Sequence, residues 1–186
     1  MSITTQYPII EELESNNSRL FKEDVIKREA EQDNIDFFEG CQLALDPMVS
    51  FGVKQVPERS DIDGQGLSWG EFCDLADQLQ KRELTGHAAR DAILEAMLQS
   101  HDAEWNKWYR RILIKDLRCG VSEKTINNVV KKVNKDYTIP VFKCMLAHDS
   151  ANHEKKLVGE KLLDYKLDGV RVLAIYDAEA DAVTMY

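Results

Sequence analysis

The chain has 186 residues, enough for one large or two small domains, with 44% hydrophobic and 31% charged residues and a net charge of −9. No apolar run approaches the roughly 20 residues of a membrane span. The N-terminus lacks the basic segment and apolar core of a signal peptide. The four cysteines, Cys41, Cys73, Cys119 and Cys144, are scattered without a C-x-x-C pair. Reduced thiols in a cytoplasmic setting fit them better than disulfides or zinc, and no residue is assigned as a metal ligand.

An acidic total argues at first against a polyanion as partner. The distribution argues otherwise. Residues 1–100 hold 9 Lys and Arg against 20 Asp and Glu, whereas residues 101–143 hold 10 against 5. An acidic body with one basic segment can bind a polyanion, because local potential outweighs the total. The alternative is that the basic segment is a solvated helix face.

In chain order, residues 1–48 read as helical. Ile9, Ile10 and Leu13, then Leu20, Phe21, Val25 and Ile26, recur at helical spacing. Asn16, Asn17 and Ser18 separate these runs and can cap the second. Phe37, Phe38, Cys41, Leu43 and Leu45 mark a third helix, ended by Asp46-Pro47. Residues 49–67, with Pro57, Gly64 and Gly66, read as a loop. Ser68 and Glu71 predict a capping box for a helix carrying Phe72, Leu75, Ala76 and Leu79.

Thr85 is a good N-cap for the next helix, which runs to about Ser100, and Gly86 lets the backbone approach a ligand closely. Another helix, Glu104 to Ile114, is rich in aromatic residues. Gly120 suits a helix C-terminus in the left-handed conformation, and Ser122 caps a last helix from Glu123 to about Asn134. The character changes near residues 136–140, where a domain boundary is expected. That divides the chain into 1–137, helical, and 138–186. Period-two alternation predicts a hairpin from Val172–Tyr176 and Ala182–Tyr186.

Two stretches carry a possible chemistry in common. Around Gly86, and again around Gly120 to Ser122, a helix gives way to a turn with glycine and a hydroxyl residue, and then to another helix. Helix starts offer unpaired N–H groups and a positive dipole end to a phosphate. His87 and Arg90 lie near the first, Arg118 and Lys124 near the second. Each stretch taken alone is better explained by ordinary helix capping. Two on one helical body would suit a duplex held at two points.

The third chemical feature is Lys166-Leu167-Asp168-Gly169-Val170-Arg171. A lysine between two strand-like runs can be half-buried, which lowers its pKa and frees the amine as a nucleophile. The bland alternative is a solvated lysine at a strand end.

The series Leu84-Thr85-Gly86-x-Ala88, Ile114 to Asn127, Met145-Leu146-Ala147 and Lys166-x-Asp168-Gly169-x-Arg171 resembles the N-terminal part of ATP-dependent DNA ligases, especially compact phage enzymes. The resemblance covers about residues 70–186. The first 70 residues match only in being helical. The lysine motif alone is shared with RNA ligases and mRNA capping enzymes, which lack this helical domain. The family implies a mainly α chain: an all-helical DNA-binding domain, then the first strands of a truncated α+β nucleotidyltransferase (adenylation) domain.

By resemblance, Thr85, Gly86, Gly120, Ser122 and Lys124 contact phosphates of nicked double-stranded DNA, with Arg118 and Asn127 as further carry-overs; His87 and Arg90 join the DNA contacts through their place beside the first helix start. Lys166 accepts AMP from ATP, with Mg2+ offsetting phosphate charge. Asp164 stands where the family accepts from the adenine amino group, as a shorter residue than the usual glutamate. Arg171 contacts the ribose or the reacting DNA end, and Asp168 holds the turn. The setting implied is DNA replication, repair and recombination in the cytoplasm, that of a host cell for a phage-encoded enzyme.

The family's later motifs, which supply metal-binding carboxylates and an adenine platform, have no counterpart before Tyr186. The expectation is a chain that does not ligate DNA alone. It would be a truncated ligase, one half of a split ligase completed by a second chain, or a non-enzymatic nick-binding module.

Overall fold

The computed structural model describes residues 5–60, 64–142, 149–162, 165, 169, 172–178 and 181–185. The chain forms two compact units, Met1–Phe142 and Lys143–Tyr186. The first is helical and the second holds a two-stranded sheet, so the fold is mainly α.

The helical unit contains α1 (Tyr7–Ser15), α2 (Arg19–Glu31), α3 (Ile35–Leu45), α4 (Trp69–Gln80) and α5 (Gly86–Gln99). Next comes a run made of α6 (Asp102–Glu104), a π-helical turn (Trp105–Tyr109) and α7 (Arg110–Leu113), followed by α8 (Glu123–Val133). α2 packs on α8, and α3 on α7.

Apolar residues at helical spacing supply the core. Trp105, Trp108, Tyr109, Ile112 and Leu113 form one buried face of the aromatic run. Trp108 stacks on Phe37 at 5.8 Å between centroids, and Tyr109 on Phe72 at 4.4 Å. Gly40 makes room for this, since a Cβ there would lie 2.1 Å from the Trp108 ring. The predicted capping box of α4 is present, with Ser68 Oγ accepting from Glu71 N and Ser68 N donating to Glu71 Oε2.

Long-range polar bonds tie the helix ends together. The buried Glu104 carboxylate accepts from Gln6 N at 3.1 Å and Tyr7 N at 3.4 Å, which caps α1 from nearly a hundred residues away. Residues 46–60 have no regular structure, as expected of a loop, but they are not loosely held. Phe51, Val56 and Arg59 are buried. Trp105 Nε1 donates to Pro57 O, and Asn106 exchanges two bonds with the Arg59 backbone.

In the second unit, β1 (Ala174–Asp177) pairs antiparallel with β2 (Ala182–Met185), with Ala174 opposite Met185 and Asp177 opposite Ala182. The alternation in the sequence thus marks the hairpin. Tyr176 Oη donates to Asp181 across the turn.

Candidate nucleic-acid interface

The α5 start is built by the turn that leaves α4. Glu83 N and Leu84 N both bond to Gln78 O, which closes α4 and turns the chain back. Thr85 follows with extended backbone, and Gly86 takes φ +54 with open space where a Cβ would point. Thr85 occupies the N-cap position, yet its side chain accepts no bond from the helix. The left-handed φ of Gly86 shifts the first turn away from the geometry in which a cap hydroxyl reaches the third N–H. Thr85, Gly86, His87 and Arg90 are all exposed. This helix start therefore lacks a side-chain cap and faces solvent.

The second stretch is more constrained. Lys115, Arg118 and Gly120 all have positive φ, +61, +53 and +67. Asp116 stabilises the turn by accepting from Arg118 N at 2.9 Å and lying 3.9 Å from its guanidinium. Lys22 on α2 donates to Cys119 O at 2.7 Å. A Cβ on Gly120 would lie 2.5 Å from that Lys22 nitrogen, so Gly120 is needed both for its φ and for the space beside it. Burial pushes the Cys119 thiol up from its ordinary pKa. Ser122 is a true cap, accepting from Thr125 N at 3.4 Å. Lys124 is exposed beside it.

Asn127 is occupied elsewhere. It is buried, its Nδ2 donates to Ile139 O at 2.9 Å, and its Oδ1 accepts from Ile139 N at 2.9 Å. The side chain clasps the strand-like segment after α8 and presents no polar group to solvent.

A groove of about 960 Å³ joins the two stretches. Gly86 and Arg90 line it from α5, Arg110 from α7, and Asp116 and Arg118 from the turn beyond. Thr85, His87, Gly120, Ser122, Lys124 and Asn127 do not line it. The fourth side is the segment Gly52–Pro57, which the sequence places only in a loop. Arg110 is committed to Val56 O and to Glu58, at 3.0 and 3.1 Å. Among the described residues, the exposed cations lining the groove are Lys54, Arg90 and Arg118, and the one lining carboxylate is Asp116. Three cations and an uncapped helix start give the groove a positive potential suited to phosphate.

Lys166, Asp164, Asp168 and Arg171 lie outside the described residues. Among the described residues, no three His, Cys, Asp or Glu side chains come together as a metal site, and no helix is long and apolar enough to cross a membrane.

No family model matches the chain. It is 37% identical over 68 residues to DNA ligase 4 of Arabidopsis thaliana, a match covering 37% of this chain and 5% of that protein. Two solved structures, named Pmar-Lig_PreS3 and Pmar-Lig_Pre., are each 56% identical to it with a TM-score of 0.75. The chain is thus similar to DNA ligases over part of their length. Both structural matches cover 97% of this chain, so the similarity includes the first 70 residues, where the motifs carried no resemblance. The chain spans 41% of the length of those structures and a small part of the curated relative.

Proposed function

We propose that this chain is the DNA-gripping N-terminal part of an ATP-dependent DNA ligase, of the compact phage type. The observation that carries the reading is the convergence of Gly86, Arg90 and Arg118, from separate helix–turn–helix stretches, on one basic groove. Such a groove holds duplex DNA through its sugar–phosphate backbone. Contacts of that kind position a duplex without reading its sequence, as sealing any nick requires. Thr85, His87, Gly120, Ser122 and Lys124, exposed or at the turns flanking the groove, extend the grip along the phosphates. Asn127 supports the surface from behind.

In the second unit, the Lys166 amine attacks the α-phosphorus of ATP. A P–N bond forms, and the bond to the departing pyrophosphate breaks. AMP then passes to the DNA 5′-phosphate, and the 3′-hydroxyl displaces it. Mg2+, when bound with the ATP phosphates, would supply charge neutralisation in these displacements. Asp164 accepts from the adenine amino group, and Arg171 holds the ribose or the DNA end. The remainder of the adenylation domain, in the same chain or a second one, completes this site. The setting is replication, repair and recombination in the cytoplasm.

Fluorescence anisotropy with a nicked duplex tests the grip. The chain is expected to bind, and the affinity to fall steeply with salt. The pair Arg90→Ala and Arg118→Ala should weaken binding and flatten the salt dependence by about two charges. Absence of binding at low salt sinks the reading. Labelling with α-labelled ATP and Mg2+, with and without the rest of the adenylation domain, tests the lysine. Label lost in Lys166→Ala supports an enzyme part. Retained DNA binding with no label under any condition points to a non-enzymatic module.

A further inference from the structure

The segment between α3 and α4 is held down at intervals by side chains from other elements. Lys115 Nζ donates to Leu43 O and Asp46 O, both at 2.7 Å, and lies 5.8 Å from the Phe51 ring centroid. Arg82, in the turn between α4 and α5, donates to Ser50 Oγ at 3.3 Å. Gly52 has φ +68, and a Cβ on it would lie 1.5 Å from Arg82 Nη1, so the guanidinium occupies the place of a side chain. Further on, Arg110 Nε donates to Val56 O at 3.0 Å, and Trp105 Nε1 to Pro57 O at 2.9 Å. The stretch Gly52–Gln55 is thus fixed at both ends and spans the side of the groove facing Gly86, Arg90 and Arg118.

Packing explains the anchors but not what sits between them. Phe51 and Val56 are buried and hold the stretch down. Lys54 between them is exposed and has no ion pair among the described residues. A cation held on a short fixed stretch, beside two other exposed cations and an uncapped helix start, raises the positive potential of one groove at a fixed point.

We infer that Lys54 is a further phosphate contact of the duplex grip, carried on a strap whose position is set by the Gly52–Arg82 contact. Its ligand is the sugar–phosphate backbone of duplex DNA. Arg82, which does not line the groove, is a positioning residue. The inference rests on the DNA-binding reading above and adds an element that the ligase motifs in the sequence did not mark.

The test is salt-titrated anisotropy of the full chain with a nicked duplex, comparing wild type, Lys54→Ala, Lys54→Arg and Lys27→Ala. Lys27 is an exposed lysine on α2 outside the groove. Loss of one phosphate contact lowers the log–log salt slope by about 0.9, which corresponds to roughly eightfold weaker binding at 0.1 M salt. Lys54→Ala should show that loss, Lys54→Arg should restore it, and Lys27→Ala should match wild type. Arg82→Ala should weaken binding by itself and add little to Lys54→Ala in the double variant, since the two act through one strap. Wild-type binding with an unchanged slope in Lys54→Ala overturns this inference and leaves the grip intact. An equal loss in Lys27→Ala overturns it as well, by showing an effect of net charge. No binding by wild type overturns both readings together.

Discussion

Single residues in the 115–127 stretch serve structure and surface together. Gly120 combines φ +67 with the Lys22 ammonium packed where a side chain would go. Gly120→Ala is therefore expected to cost about 1–3 kcal/mol, from left-handed strain and a displaced Lys22–Cys119 bond. Chemical denaturation would read this as a lower midpoint, and an unchanged midpoint would refute the double constraint. Asn127→Ala leaves the Ile139 N–H and C=O without their partner and should cost about 2–4 kcal/mol, since two buried groups lose their bonds. Its salt slope for DNA should stay at the wild-type value, because the side chain faces inward.

The left-handed φ of Gly120 was legible from its residue type, although the helix end expected there lies earlier: α7 closes at Leu113 and Lys115 takes the left-handed position just beyond it. The role of Asn127 was not legible. An amide in a basic helix reads as a surface residue until Ile139, twelve positions on, folds back over it. The left-handed backbones of Lys115 and Arg118 were equally hidden, since neither residue type favours that region and neighbouring bonds impose it.

At the scale of elements, two similar helix starts turn out to differ. Ser122 caps α8, while Thr85 sits at the cap position of α5 without making the bond. Ser122→Ala should cost about 1 kcal/mol of stability. Thr85→Ala should leave the thermal midpoint nearly unchanged. The sequence pattern of hydroxyl residue, glycine and helix marked both starts, but the bond depends on the φ of the adjoining residue.

The Lys115 anchor shows the same dependence on distant elements. Burial pushes its ammonium down to about 8, from an ordinary 10.5. The folded state then binds fewer protons than the unfolded chain between those values. This contribution to stability is complete above pH 10.5 and is lost as pH falls through 8. Lys115→Met should remove the rise in stability between pH 8 and 10.5 seen in denaturation at graded pH. A rise of the same size in the variant would show that other groups produce it. The two carbonyls it meets, at the end of α3, are some seventy residues earlier, and no local pattern announces them.

Across the whole molecule, the buried residues and the basic groove belong to the same unit. Every buried apolar residue among those described lies at or before Ile139, and none of the described residues of the second unit is buried. A two-stranded hairpin contributes little stability alone; Tyr176, Val183 and Met185 are exposed on it, as is Val172 just before it. Cooperative unfolding should therefore report the helical unit. Its end is secured by the Asn127–Ile139 clasp and by Tyr137, which stacks on Phe38 at 4.3 Å and donates to Asp33 at 3.0 Å. A fragment of residues 1–142 retains all these contacts and every residue lining the groove.

That fragment is expected to melt within about 2 °C of the full chain, since a difference of 1 kcal/mol shifts a domain of this size by roughly 2–8 °C. It should also bind a nicked duplex with the same salt slope, because the slope counts phosphate contacts and the cations of the grip, from Lys54 to Lys124, all lie within the fragment. Ending the fragment at residue 136 instead removes Tyr137 and Ile139, and should lower the midpoint clearly. If the 1–142 fragment melts lower or loses slope, residues after 142 contribute to the core or to the grip. If the 1–136 fragment is as stable as the full chain, the clasp does not secure α8.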